Sequence, residues 1–170
     1  MNVNLIEPSE QFESEFLALL DELARASESF GSEGARRDFP AYLHMLRAES
    51  LGIGLAPGEV PMSTFWLVNS RGRLLGESRL RHHLTPALED YGGHIGYVIR
   101  PTERRKGFGT HILAQTLAKA LELGLHRIRV TCDADNVGSA RIIERNGGVL
   151  SSHGISPVNG KLTSQYWINL

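Results

Sequence analysis

Arg100-Pro101-Thr102-Glu103-Arg104-Arg105-Lys106-Gly107-Phe108-Gly109-Thr110 joins an apolar strand, Gly93–Ile99, to an amphipathic helix over 107–123. A helix N-terminus presents unpaired backbone N–H groups and the positive end of the helix dipole, which suits a phosphate. Gly107 and Gly109 carry no Cβ, so phosphate oxygens can approach the backbone there. Arg104, Arg105 and Lys106 add positive charge, and Thr110 adds a hydroxyl at the helix start. A basic, glycine-containing loop can equally be a solvated turn, so the loop alone leaves both readings open. A dinucleotide-binding turn is excluded. Its third glycine position holds Ile112, and seven residues separate Ile99 from Gly107, where that turn follows its strand almost directly.

Working outward, the helix over 107–123 places Ile112, Leu113, Leu117, Ala120 and Leu121 inward and ends at Gly124. A strand over Arg127–Cys132 and a helix from Asn136 to Asn146, closed by Gly147, follow. Two strands, near 149–152 and 162–168, complete the chain. Upstream, Phe65–Val68 and Leu74–Leu80 flank Asn69-Ser70-Arg71-Gly72 as a hairpin. The stretch His83–Gly92 reads as a long connection. Before the hairpin, a short strand ends at Pro8 and Ser9 caps a helix that buries Phe12, Phe16, Leu19, Leu20 and Leu23. Pro40 opens a second helix with Leu43 and Leu46 inward. The order β, α, α, β, β, β, α, β, α, β, β implies an α/β fold, a mixed and mostly antiparallel sheet of about seven strands covered by helices on both faces.

The 170 residues suit one domain, residues 1–170, with enough core to need neither disulfides nor metals. The net charge of −1 gives no general attraction to nucleic acid or anionic membranes. One cysteine, Cys132, excludes an intrachain disulfide. The start of the chain has no signal-peptide pattern and no stretch approaches a membrane span, so a cytoplasmic location is expected.

Arg104-x-x-Gly107-x-Gly109, after a strand ending Ile99-Arg100-Pro101, resembles the diphosphate loop of GNAT-superfamily N-acetyltransferases. Asp135-Asn136-x-x-Ser139-Ala140-x-Ile142-Ile143-Glu144-x-Asn146-Gly147 resembles the family's second signature. The resemblance implies acetyl-CoA as co-substrate and no metal. It implies a slot between two splayed strands, with Tyr97, Val98 and Ile99 along the pantetheine arm and Val130–Cys132 opposite. Arg104 to Thr110 (including Phe108) would hold the diphosphate, and Asn136, Ser139 and Ile143 would flank the arm. It further implies direct attack of a primary amine, from a small molecule or from a peptide or protein, on the thioester. Two positions depart from the family pattern. Ile143 stands where many members carry the tyrosine that protonates the departing sulfur, and Gly148 stands where an aromatic residue is usual. A non-catalytic acyl-CoA sensor of the same fold is therefore the alternative.

Strand alternation puts Glu77, Arg79 and Arg81 on one face, opposite Leu74, Ser78 and Leu80. Glu77 is the first candidate general base and His94 the second, with exposed-surface roles as the rival reading. Arg79 and Arg81, with Arg100, are candidates to hold an anionic acceptor. His82 and His83 point to opposite faces and cannot readily share a metal, and Cys132 reads as a small core residue. Tyr166-Trp167-Ile168 fits either the core or a homodimer contact.

Overall fold

The computed structural model describes residues 2–170. Seven strands and five α-helices follow in the order β1 Val3–Ile6, α1 Glu13–Arg25, α2 Phe39–Ser50, β2 Met62–Asn69, β3 Leu74–Arg81, α3 Pro86–Tyr91, β4 Ile95–Ile99, α4 Phe108–Glu122, β5 Arg127–Asp133, α5 Val137–Arg145, β6 Val149–Ile155 and β7 Leu162–Asn169. The strands form two antiparallel sheets, β1-β2-β3-β4 and β5-β7-β6. No ladder joins β4 to β5, and that gap is the splay.

Helices cover both faces. On one, Phe16, Leu19 and Leu23 of α1 and Phe39, Tyr42 and Leu43 of α2 bury Trp66 and Leu74. The rings of Phe16 and Trp66 stack with centroids 4.6 Å apart. On the other face, Leu113, Leu117 and Ala120 of α4 pack on Leu80, Ile95, Ile128 and Val130. Tyr166 and Ile168 of β7 belong to this second core, so the strand considered for a dimer contact turns these two residues inward.

Several expectations are corrected. Ser9 makes no cap; a 3-10 turn, Glu10–Phe12, precedes α1. Leu121 is exposed, at the edge of the α4 stripe. The expected connection over 83–92 contains α3, whose start is marked by Thr85 accepting from the Leu88 N–H and by Pro86 in the first turn. Leu74 lies on the same face as Glu77, not opposite it. Leu67 pairs with Gly76 but Val68 pairs with Leu74, so Leu75 is the extra residue of a bulge. An extra residue reverses the alternation of side chains beyond it.

Arg100 is not available to an acceptor. Its side chain is buried, with Nε 2.8 Å from Glu22 and Nη1 2.7 Å from Glu15. Nη1 also donates to the Leu74 carbonyl at 2.9 Å, and Thr102 donates to Glu22 through both its N–H and its hydroxyl. These bonds tie α1 to the start of β3 and to the loop after β4. Burial alone would raise the Glu15 carboxyl, but the bond from Arg100, the Leu74 N–H and the charges of Arg100 and Arg73 hold it below 4.5. Glu22 follows the same pattern: burial is outweighed by Thr102 and Arg100. Both folded-state values are depressed, so this stabilisation is present above pH 4.5 and is lost as pH falls through the folded values. Arg100→Met should cost about 3 kcal/mol at neutral pH, because two carboxylates lose their buried cation. Denaturant titrations should show the gap from wild type narrowing below pH 4.5; a gap independent of pH would contradict this account.

Candidate functional site

The splay is closed at one end by His94. Its backbone N–H donates to the Arg129 carbonyl at 2.7 Å, and its Nδ1 accepts the Arg129 N–H at 2.9 Å. Gly93 makes the approach feasible: it has φ +68°, and a Cβ there would sit 2.8 Å from the Arg129 carbonyl oxygen. Burial and the nearby Arg81 charge lower the His94 imidazole to about 4. In neutral His94 the Nδ1 lone pair is already used, so the ring proton is assigned to Nε2 and no free lone pair remains to take a proton. This corrects the base role considered for His94, which acts as a strand clamp.

Beyond the clamp the strands diverge, and a cavity of about 370 Å³ opens along β4. Tyr97, Val98 and Ile99 form one wall. Arg104, Arg105, Phe108 and Gly109 form the end at the α4 N-terminus. Asn136, Gly138, Ser139 and Ile142 of the α5 start form the facing wall, in place of the expected Val130–Cys132. Gly107 precedes α4 with φ +86°, and this left-handed residue turns the loop into the helix. Asn136 caps α5, its Oδ1 accepting the Ser139 N–H at 3.0 Å. Charge is concentrated at the loop end of the cavity, while Ile99, Phe108 and Ile142 line it with apolar surface. An elongated ligand with an anionic end matches that distribution.

Four expected cavity residues are outside the lining, the first being Gly107 at the start of α4. Lys106 is exposed and bonded to Glu103 at 2.9 Å. Thr110 lies outside the lining, its carbonyl accepting from Asn146. Ile143 is fully buried in the core, one helical step from Ile142, which does reach the cavity. Two adjacent isoleucines leave the helix phase undetermined in the sequence. The two departures at 143 and 148 fit each other. A Cβ at Gly148 would run into Ile143 Cγ2 and lie 2.8 Å from its carbonyl oxygen.

Glu28 is a cavity residue that the sequence did not flag. Its carboxylate takes Arg104 Nη1 at 2.8 Å and Nη2 at 2.6 Å, a bidentate pair, and Arg104 Nε donates to the Ile99 carbonyl. The bond from Arg104, against a burial effect of opposite sign, holds Glu28 below the usual carboxylate value. No local pattern marks Glu28, because it reaches the loop only through the packing of α1.

Glu77, Arg79 and Arg81 do share a face, but it is the face of α1 and α2, away from the cavity lining. Glu77 is fully buried; Oε2 accepts from Trp66 Nε1 at 3.0 Å and Oε1 from Arg79 Nε at 2.9 Å. Burial raises its carboxyl, with the Arg79 charge and the two bonds pulling it back. Glu77 is buried and lies outside the cavity lining, so the base role considered for it is corrected to a support beneath Arg79. Arg79 in turn donates to Ser32 at 2.8 Å and lies 4.7 Å over the Phe30 ring, which leaves it committed to the α1–α2 connection. Arg81 donates to the Gly93 carbonyl and lines a separate cavity of about 180 Å³ with Glu49 and Glu59.

The profile of the acetyltransferase (GNAT) domain family matches residues 30–149. Among solved structures, Mycobacterium smegmatis RimJ in complex with CoA-disulfide superposes with a TM-score of 0.74 at 19% identity, covering 98% of this chain and 81% of that one. A chimera of the spermidine N-acetyltransferase SpeG from Vibrio cholerae and hSSAT gives 0.69 at 14% identity, covering 99% and 96%. These likenesses concern the fold. No curated protein matches the chain in sequence.

The clamp has a measurable signature. His94 titrates at about 4 when folded and 6.5 when unfolded, so its stabilisation is complete above pH 6.5 and is lost as pH falls toward 4. His82, lowered by burial and by His83, acts in the same direction. Urea titrations should show stability falling across that window and a shallower fall in His94→Gln, whose amide oxygen can still accept the Arg129 N–H. A wild-type profile that is flat down to pH 4.5 would overturn the assignment of a buried neutral imidazole.

Proposed function

This chain belongs to the GNAT acetyltransferase family and is an N-acetyltransferase, and we propose that it works in the cytoplasm by binding acetyl-CoA in the cavity along β4. The observation that carries the reading is one cavity bounded by β4, by the Arg104–Gly109 loop and by the α5 N-terminus. The backbone at Gly107 and Gly109, with Arg104 and Arg105, would take the diphosphate. Tyr97, Val98 and Ile99 would run beside the pantetheine arm, which can pair with backbone groups as an added strand. A backbone N–H near Tyr97 or Val98 would polarise the thioester carbonyl.

The acceptor is a primary amine, of a small molecule or of a peptide or protein. Such an amine has a pKa near 10 and must lose a proton before it attacks. Glu77 and His94 are both committed to structural bonds, so that proton leaves through water. Attack on the acetyl carbon forms the C–N bond, the C–S bond breaks, and the amide and coenzyme A depart.

Calorimetric titration with acetyl-CoA, then free-thiol release across an amine panel, tests this. Micromolar binding with amine-dependent release is the expected result. Saturable binding without release for any amine would favour the sensing domain, and no binding would overturn the assignment of the cavity.

Glu28 gives a sharper prediction. Its exposed pair with Arg104 contributes up to about 1 kcal/mol, and a diphosphate competes for the same guanidinium. Glu28→Gln should therefore tighten coenzyme A binding by about two- to five-fold. Unchanged or weaker affinity would place the phosphates away from Arg104.

A further inference from the structure

β1 is shorter than the strand beside it. It pairs with Trp66–Asn69 of β2 and stops at Ile6, where the chain leaves the sheet through Glu7 and Pro8. β2 begins at Met62, and over Met62–Phe65 it is paired with β3 alone among the described residues. The backbone there has a definite direction. Gln115 accepts the Leu5 N–H at 2.7 Å and donates to the Val3 carbonyl at 3.1 Å, so these two residues face away from β2. Backbone groups alternate sides along a strand, so Asn4 and Ile6 face β2, opposite Val68 and Trp66. The same alternation turns the N–H and C=O of Thr64 and Met62 toward the space where β1 would continue. The bond from the Arg81 N–H to the His94 carbonyl agrees, since Arg81 stands opposite Met62 and turns away from it. Among the described residues no protein group bonds to these outward groups of Met62 and Thr64. Gln115 thus covers the edge of β1, while this part of β2 remains a bare edge.

The bare edge floors a groove of about 330 Å³. Leu43, Leu46, Arg47 and Ser50 of α2 form one wall, and Lys119 and Leu123 at the end of α4 form the other. The two walls differ in character. Thr64 stands opposite Arg79, on the face of α1 and α2. Phe65 stands opposite Ser78, on the face of α4, where Ser78 bonds to Thr116. Arg47 is exposed and has no side-chain partner among the described residues, whereas Lys119 is paired with Glu122 at 2.7 Å. Glu7 stands at the end nearest β1. An extended chain laid here would meet backbone donors and acceptors on the floor. It would meet a cation on the α2 wall and apolar surface from Phe65 and Leu123 on the other.

We propose that this groove binds an extended peptide segment of a partner protein as a short added strand. An acidic side chain of the segment faces Arg47, and apolar side chains face Phe65 and Leu123. The residue opposite Thr64 exchanges two hydrogen bonds with it and points its side chain to the α2 wall. Its two neighbours point to the α4 wall, because side chains alternate along a strand. A small anion would use Arg47 alone and leave the Thr64 backbone groups without partners. The groove shares no residue with the cavity along β4, so this inference stands apart from the acetyl-transfer reading.

Calorimetric titration of the full chain with the capped peptide acetyl-Thr-Val-Glu-Val-Thr-amide tests the proposal. Saturable binding with a Kd below about 1 mM is expected, together with slowed hydrogen exchange at the Thr64 N–H. The same peptide N-methylated at its glutamate cannot donate to the Thr64 carbonyl and should bind about five-fold or more weakly. Arg47→Glu changes an exposed side chain, leaves the fold intact and should weaken the unmodified peptide by about five-fold or more. Absence of saturable binding would overturn the proposal, and so would binding insensitive to one or both changes. Equal affinity for sodium hexanoate would make the groove a small-anion site. Dimerisation of the chain alone, abolished by Arg47→Glu, would give the groove to a second copy. Either of these last results overturns the peptide assignment.

Discussion

Two hydrogen bonds between His94 and Arg129 set the geometry on which the rest of the site depends. They bring β4 and β5 to contact at one end, and no ladder continues beyond them. Strands that twist apart from a fixed point leave a wedge with unpaired backbone along its sides. Such a wedge persists only where something else holds the two sheets. Here α4 and its core residues Leu113, Leu117 and Ala120 bridge both sheets. The cavity is thus a consequence of a clamp at one end and a helix beneath.

The second constraint is the assignment of the arginines. Arg100 is enclosed between Glu15 and Glu22, Arg79 is held by Glu77, Ser32 and Phe30, and Arg129 stacks on Trp167 while donating to Glu89 and Gln165. Each buried guanidinium needs its partners, because an unpaired charge out of water is costly. The arginines at the cavity are less buried, and Arg104 is held by the exposed Glu28 carboxylate and the Ile99 carbonyl. Structural arginines and cavity-lining arginines therefore differ in solvation, a property that residue type does not reveal.

Much of the fold was legible in the chain. Apolar periodicity located α1, α2 and α4, because burying one helical face requires that spacing. Gly107, Gly124 and Gly147 marked helix boundaries, where positive φ favours glycine. The two-signature resemblance located the loop at Arg104 and the cap at Asn136. The phase of α5 was not legible, since Ile142 and Ile143 are equally apolar. Nor was the bulge at Leu75, which moved Leu74 to the Glu77 face; its signal resides in the pairing with β2, not in β3 alone.

By itself the sequence determined the order of elements except α3, the basic glycine-containing loop before α4 and the family, because these depend on short-range spacing and local backbone preference. Only the tertiary structure decided that Glu77 and His94 are structural, that Arg100 is enclosed and that Glu28 reaches Arg104. Those properties are contacts between residues far apart in the chain. Burial and partner identity there follow from how the two sheets and their helices close on one another, and no local pattern encodes that closure.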